Sequence, residues 1–294
     1  SGGAIFCGSS AEKTLAVENT TFDSNTAPAM GGAIYSGAAQ LRVTDGSVFT
    51  RNTAGFKGGA IYSESGEVNI EDSTLSNNTT GDTGGAICVA GSNSITVKDS
   101  AFSDNHAATG GALGAGSGAI AISGSTLSGN TATGVGGAIF SEGGDVTVTG
   151  SEITNSTAVY CGGAIQVNAG NMTVTDSTFS GNSATGTDAS GGAIVVFSSA
   201  GKTVTVENSV FSGNTSTGSG AAIYSAAAPV QVTDGSIFSG NTAAATGGAV
   251  CVAGGSTVTV QDSAFSDNRA ATGGALGAGT GTIAISGSTL SGNT

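Results

Sequence analysis

The sequence predicts an all-β chain: a right-handed parallel β-helix of about eleven coils, each of 26–29 residues with three short strands. Three observations predict it. First, Gly-Gly-Ala followed by an aliphatic residue recurs along the chain. It starts at Gly2, Gly31, Gly58, Gly84, Gly110, Gly136, Gly162, Gly191, Gly220, Gly247 and Gly273, and is degenerate only at Gly220-Ala221-Ala222-Ile223. Second, Phe or Leu, two residues and then Asn follow 17 to 20 residues after each Gly-Gly, except in the sixth unit, where Ile153 is in place but Ser156 stands for Asn. Third, apolar and small polar residues alternate in runs of three to five, bounded by Gly, Asn and Asp, which is the pattern of short strands joined by turns. A unit this small cannot bury its apolar side alone, so units must stack. Crossovers between parallel strands favour the right hand.

The first strand of each unit carries an aliphatic residue three positions after the first glycine. It runs Ile5, Ile34, Ile61, Ile87, Leu113, Ile139, Ile165, Ile194, Ile223, Val250, Leu276 and points inward. The next residue points outward: Phe6, Tyr35, Tyr62, Cys88, Gly114, Phe140, Gln166, Val195, Tyr224, Cys251, Gly277. Short connections leave this apolar stripe open to solvent, so Phe6, Tyr35, Tyr62, Cys88, Phe140, Val195, Tyr224 and Cys251 are the candidate interaction surface. In the second strand, pairs such as Leu41/Val43, Val68/Ile70 and Ile95/Val97 face inward around small or polar residues. Thr147, Thr173 and Thr205 begin a flat outward array, but Arg42, Asn69, Ala121 and Gln231 break it, which argues against an ice-binding face.

The third strand supplies a core column: Phe22, Phe49, Leu75, Phe102, Leu127, Ile153, Phe179, Phe211, Phe238, Phe265 and Leu290. The asparagines behind it form a structural ladder: Asn25, Asn52, Asn78, Asn105, Asn130, Asn182, Asn214, Asn241, Asn268 and Asn293. They face inward or line a turn, where stacked amides at ~4.8 Å bond from coil to coil and Asn tolerates a left-handed backbone. The corner before the third strand holds Asn19, Asp72, Asp99, Gly124, Gly150, Asp176, Asn208, Asp262 and Gly287, with Asp45-Gly46 and Asp234-Gly235 one residue longer. Turn chemistry explains these residues. A Ca²⁺ site at the Asp45/Asp72/Asp99 column is the sharper alternative, though no known calcium-loop spacing is present. No other cofactor or metal is expected.

Gly-Gly-Ala-(Ile/Leu/Val) paired with Phe-x-x-Asn over the whole chain resembles the repeat of the chlamydial polymorphic outer membrane proteins. The resemblance implies a β-helical passenger exported by a β-barrel and acting at the cell surface as an adhesin. It covers only the passenger, since no barrel region is present.

Composition agrees. Glycine supplies 52 of 294 residues, with 2 Pro and no Trp, which disfavours long helices and, without a three-residue period, excludes collagen. The net charge of −13 opposes binding to nucleic acid or to anionic lipid. No apolar run approaches the ~18 residues of a membrane helix, so this segment does not insert. No signal peptide is visible, so it has been removed or the chain is a piece of something longer.

Cys7, Cys88, Cys161 and Cys251 lie in units 1, 4, 7 and 10. Three coils at ~4.8 Å separate neighbours by ~14 Å, too far for a disulfide within the chain. They are free thiols or, through Cys88, Cys161 or Cys251, lateral cross-links between chains. Catalysis is not expected: the outward stripe has no acid or base, His106 reads as a solvated turn residue, and Glu71 and Lys98 read as a surface ion pair.

Residues 84–130 closely match 247–293, and 31–49 match 220–238, a block duplication offset by one unit. No linker interrupts residues 1–294, which read as a single domain, part of a longer array or stack. The function expected is a non-catalytic extracellular or cell-surface protein with a structural and adhesive role. Its partners are itself, end to end or laterally, or a host or neighbouring cell surface. The alternatives are a fibre subunit stacking head to tail through uncapped ends and a carbohydrate-active β-helix enzyme.

Overall fold

Two glycines open each coil, for different reasons. Gly58 has φ +63°, a backbone that L side chains rarely adopt, whereas Gly59 is excluded from bearing a side chain by contact: a Cβ there would lie 2.0 Å from the Gly85 carbonyl oxygen of the next coil. The pair turns the chain so that the following residues meet the equivalent residues one coil away.

The computed structural model describes residues 1–8, 13–197 and 201–294. Its strands stack into three parallel sheets of eleven strands and a fourth of nine. In one coil they are Ile61–Ser63, Val68–Glu71, Thr74–Ser76 and Thr79–Thr80. Each pairs in parallel with its equivalent in the next coil: Ile61 with Ile87, Val68 with Ile95, Leu75 with Phe102, Thr79 with His106. The first three sheets are those the sequence predicts. The fourth is an addition, built mostly of two-residue strands such as Thr26–Ala27 and Thr242–Ala243. Two residues are too few to show an alternation.

The core runs along the axis. Ile34, Leu41, Val43, Phe49 and Ile61 have no solvent exposure and their equivalents stay buried as far as Leu276, whereas Ile283, Ile285 and Leu290 of the last coil are exposed. Coil spacing dictates how the aromatic column packs: Phe179, Phe211, Phe238 and Phe265 stack at 4.8, 4.8 and 4.7 Å with interplanar angles of 5°, 1° and 1°.

The asparagines form a buried ladder that uses the whole amide. Asn78 Nδ2 donates to Asn105 Oδ1 at 3.0 Å and to the Phe49 carbonyl at 2.9 Å. Its Oδ1 accepts from Asn52 N–H and Asn52 Nδ2, both at 3.0 Å. Every acceptor and donor site of the side chain is occupied, as burial requires. The ladder runs from Asn25 to Asn130 and resumes from Asn182 to Asn293. At the gap, Ser156 N–H still donates to Asn182 Oδ1 at 2.9 Å, and Asn130 Oδ1 still accepts from Asn105, but among the described residues Asn130 Nδ2 donates only to the Phe102 carbonyl.

A second buried ladder runs parallel to it. Ser73 N–H donates to Ser100 Oγ, and Ser100 N–H to Ser125 Oγ, both at 3.1 Å, while each Oγ–H turns back to a carbonyl two residues earlier. The signal for it was present as a serine directly after the corner residue in unit after unit, as in Asp72-Ser73 and Gly150-Ser151.

The corner residues adopt the left-handed backbone, with φ of 57°, 47° and 46° at Asp45, Asp72 and Asp99. The ladder asparagines do not. The residue just before each one does, including Ser24 at 58° and Arg51 at 54°. The amide is therefore selected for its hydrogen bonds rather than for its backbone tolerance.

Candidate functional site

The outward column of the first sheet keeps its register, with Phe6 beside Tyr35, Tyr35 beside Tyr62 and Gln166 beside Val195. The expectation that it is an open stripe needs correction. Phe6 is 64% exposed and Tyr35, Phe140 and Tyr224 are half-buried, but Tyr62, Cys88, Val195 and Cys251 are buried. The Gly-Gly turns and the residues ahead of them fold back over this face. A Cβ on Gly191 would lie 2.9 Å from Val195 Cβ, one on Gly84 3.0 Å from Cys88 Cβ, and one on Gly114 2.3 Å from Thr83 Cγ2. Short connections thus cover the stripe by proximity.

At the start of the column Phe6 and Tyr35 stack at 5.0 Å, Tyr62 follows at 5.5 Å, and the Tyr35 hydroxyl bonds to the Glu64 carboxylate. That bond holds the Tyr35 phenol up to about 12. Burial pushes up Tyr62 and Tyr224.

All four cysteines are free. Burial pushes the Cys88 thiol up to about 12 and raises Cys251 as well. Both are enclosed, which corrects the expectation that they offer lateral cross-links. Cys161, in the connection ahead of a Gly-Gly pair, and Cys7 are half-buried.

The charged residues are dispersed. Lys98 Nζ lies 2.6 Å from Glu71 Oε1, which lowers the Glu71 carboxyl, and 3.5 Å from Asp99 Oδ2. Arg51 Nη2 lies 2.6 Å from Asp23 Oδ2; the Ser24 hydroxyl and then Arg51 lower the Asp23 carboxyl. His106 is not in a turn: it opens a fourth-sheet strand, its Nδ1 2.8 Å from Thr131 Oγ1. Asp45, Asp72 and Asp99 serve as corner residues, and among the described residues no three His, Cys, Asp or Glu side chains converge as a metal site.

Besides Phe6, large exposed rings stand at positions outside the predicted stripe. Phe56 is 58% and Tyr160 62% exposed, both two residues ahead of a Gly-Gly pair. They occupy the same corner four coils apart, roughly 19 Å at ~4.8 Å per coil. Their signal was a large ring at a position that holds Ala, Asp or Gly in several other units.

The model for the right-handed β-helix region matches residues 58–237 and 165–294. The Chlamydia polymorphic membrane protein repeat matches residues 19–37 and 46–64. Among solved structures, the catalytic unit of the thermostable GH87 α-1,3-glucanase from Streptomyces thermodiastaticus strain HF3-3 is 14% identical over 95% of this chain, with a TM-score of 0.42. The chain spans 64% of that unit's length. No curated protein matches the chain. The polymorphic membrane protein repeats point to an outer-membrane or surface-exposed protein.

Proposed function

The chain belongs to the right-handed β-helix family, and we propose that it is a non-catalytic, surface-exposed rod with a structural and adhesive role. The observation that carries this reading is the polymorphic membrane protein repeat at residues 19–37 and 46–64, whose Gly-Gly-Ala and Phe-x-x-Asn motifs continue in one register along the coils. The geometry supports it. The buried amide and hydroxyl groups of the two ladders bond along the axis, so they are committed to holding coils together. Arg51 and Lys98 are committed to surface ion pairs with Asp23 and Glu71. The faces left for contact are the ring-bearing positions Phe56 and Tyr160 and the partly exposed Phe6, Tyr35, Phe140 and Tyr224.

Antibody labelling of intact producing cells tests the location, and release of reducing ends from a panel of polysaccharides tests the chemistry. The reading expects label without permeabilisation and no release. Label only after permeabilisation, or turnover of any polysaccharide, overturns it.

A further inference from the structure

The outer face of the first sheet is unevenly filled. Its outward column carries rings at Tyr62 and Phe140 but falls to Cys88 and Gly114 between them. Thr83 takes the space directly over Gly114, its Cγ2 2.3 Å from where a Cβ would stand, but no ring bridges Tyr62 and Phe140. What remains is a groove of about 310 Å³ bordered by Lys57, Thr83, Cys88, Phe140 and Glu142, with the corner backbone of Gly91 and Gly116. The volume falls within the ~300–1,000 Å³ of small-ligand sites.

The border has a defined chemistry. Glu142 Oε2 accepts from Asn168 Nδ2 at 3.1 Å, and Asn168 Oδ1 accepts from Gln166 Nε2 at 2.8 Å, so the carboxylate is held in place from the neighbouring coil. Gln166 Oε1 is buried without a hydrogen-bond partner. Lys57 has no ion pair among the described residues. An ammonium, a carboxylate and a hydroxyl thus surround an uncharged floor flanked by an aromatic ring. A phosphate or other anion meets Glu142 and a net charge of −13. A wholly apolar ligand would strip water from Lys57 and Glu142 without replacing their hydrogen bonds. A pyranose satisfies both parts, with one C–H-rich face and a rim of hydroxyls that both donate and accept.

We propose that this groove binds a neutral saccharide unit, its apolar face against Phe140 and its hydroxyls on Glu142, Lys57 and Thr83. The proposal rests on the adhesive reading and deepens it by naming the ligand class.

Saturation-transfer NMR of the full chain with the methyl glycosides of glucose, galactose, mannose and N-acetylglucosamine tests it. Transfer to at least one glycoside is expected, with affinity reduced at least tenfold by Phe140→Ala and by Glu142→Gln and unchanged by Glu152→Gln, an exposed carboxylate on the third sheet away from the groove. Glu142 is exposed, so its variant remains informative if Phe140→Ala fails to fold. No transfer to any of the four, or binding that survives Glu142→Gln, overturns the proposal. Attachment of the same proteins to cells separates the two readings. Glycoside binding lost in Glu142→Gln with attachment intact overturns the groove as the adhesive site and leaves adhesion standing. Wild-type protein that binds a glycoside but attaches to no cell overturns the adhesive reading and supports the groove.

Discussion

Replacing Ser156 by Asn would close the gap in the amide ladder. Ser156 is fully buried, and the coils on either side carry Asn130 and Asn182 at the same position. By the geometry of Asn78, the new Oδ1 would accept from Asn130 N–H and Nδ2, and the new Nδ2 would donate to Asn182 Oδ1 and to the Leu127 carbonyl. The bond surrendered is Ser156 Oγ to the Thr154 carbonyl, at 3.4 Å a poor one. Four bonds at a net ~0.5–1.5 kcal/mol each give about 2–6 kcal/mol. Ordering the longer side chain and fitting it into a closed coil offset part of this, leaving about 2 kcal/mol. Stability in a stacked repeat is local, so the assay is native-state hydrogen exchange rather than a single melting curve. The Asn130 amide and its neighbours in coils five to seven should exchange roughly 30-fold more slowly, since about 1.4 kcal/mol is a factor of ten. Asn182→Ser should speed exchange in the same region. Unchanged or faster exchange in Ser156→Asn would refute the reasoning, by showing that ladder bonds add nothing or that coil six has no room for the amide.

Other outcomes follow from the same geometry. Gly59→Ala places a Cβ 2.0 Å from the Gly85 carbonyl and 2.7 Å from Thr79 N, both backbone atoms, so a loss of about 3 kcal/mol or more is expected in denaturant titration. Native protein treated with iodoacetamide near ~pH 8 should be alkylated at Cys7 and Cys161 while Cys88 and Cys251 resist, read by peptide mass spectrometry; rapid labelling of Cys88 would contradict its burial. Stability should fall as pH rises above about 9. The folded chain keeps protons on Cys88 and Tyr35 to about 12, whereas a free cysteine and a free tyrosine release theirs at 9.0 and 10.0, so the native state binds more protons in that window. Circular dichroism at stepped pH reads this, and constant stability to pH ~12 would exclude it.

The three long sheets were legible because each coil repeats the same columns. The Gly-Gly-Ala frame fixed which of Ile61 and Tyr62 faces inward, and the structure keeps that register from Ile5 to Leu276. Less legible was anything set by contacts between connections and sheets. Whether Val195 is exposed depends on how close the Gly162 and Gly191 turns lie above it, a distance the alternation pattern does not encode. The fourth sheet escaped for want of length, and the serine ladder because Ser after Asp or Gly reads first as turn composition. The ring pair Phe56 and Tyr160 lies outside the strand columns on which the repeat reading concentrated.

The most direct test of the adhesive rod is attachment of beads coated with the purified chain to host or neighbouring cells, with soluble chain as competitor. Saturable attachment that the soluble chain displaces is the result predicted. Attachment no greater than that of albumin-coated beads, on every cell surface tried, would contradict the account.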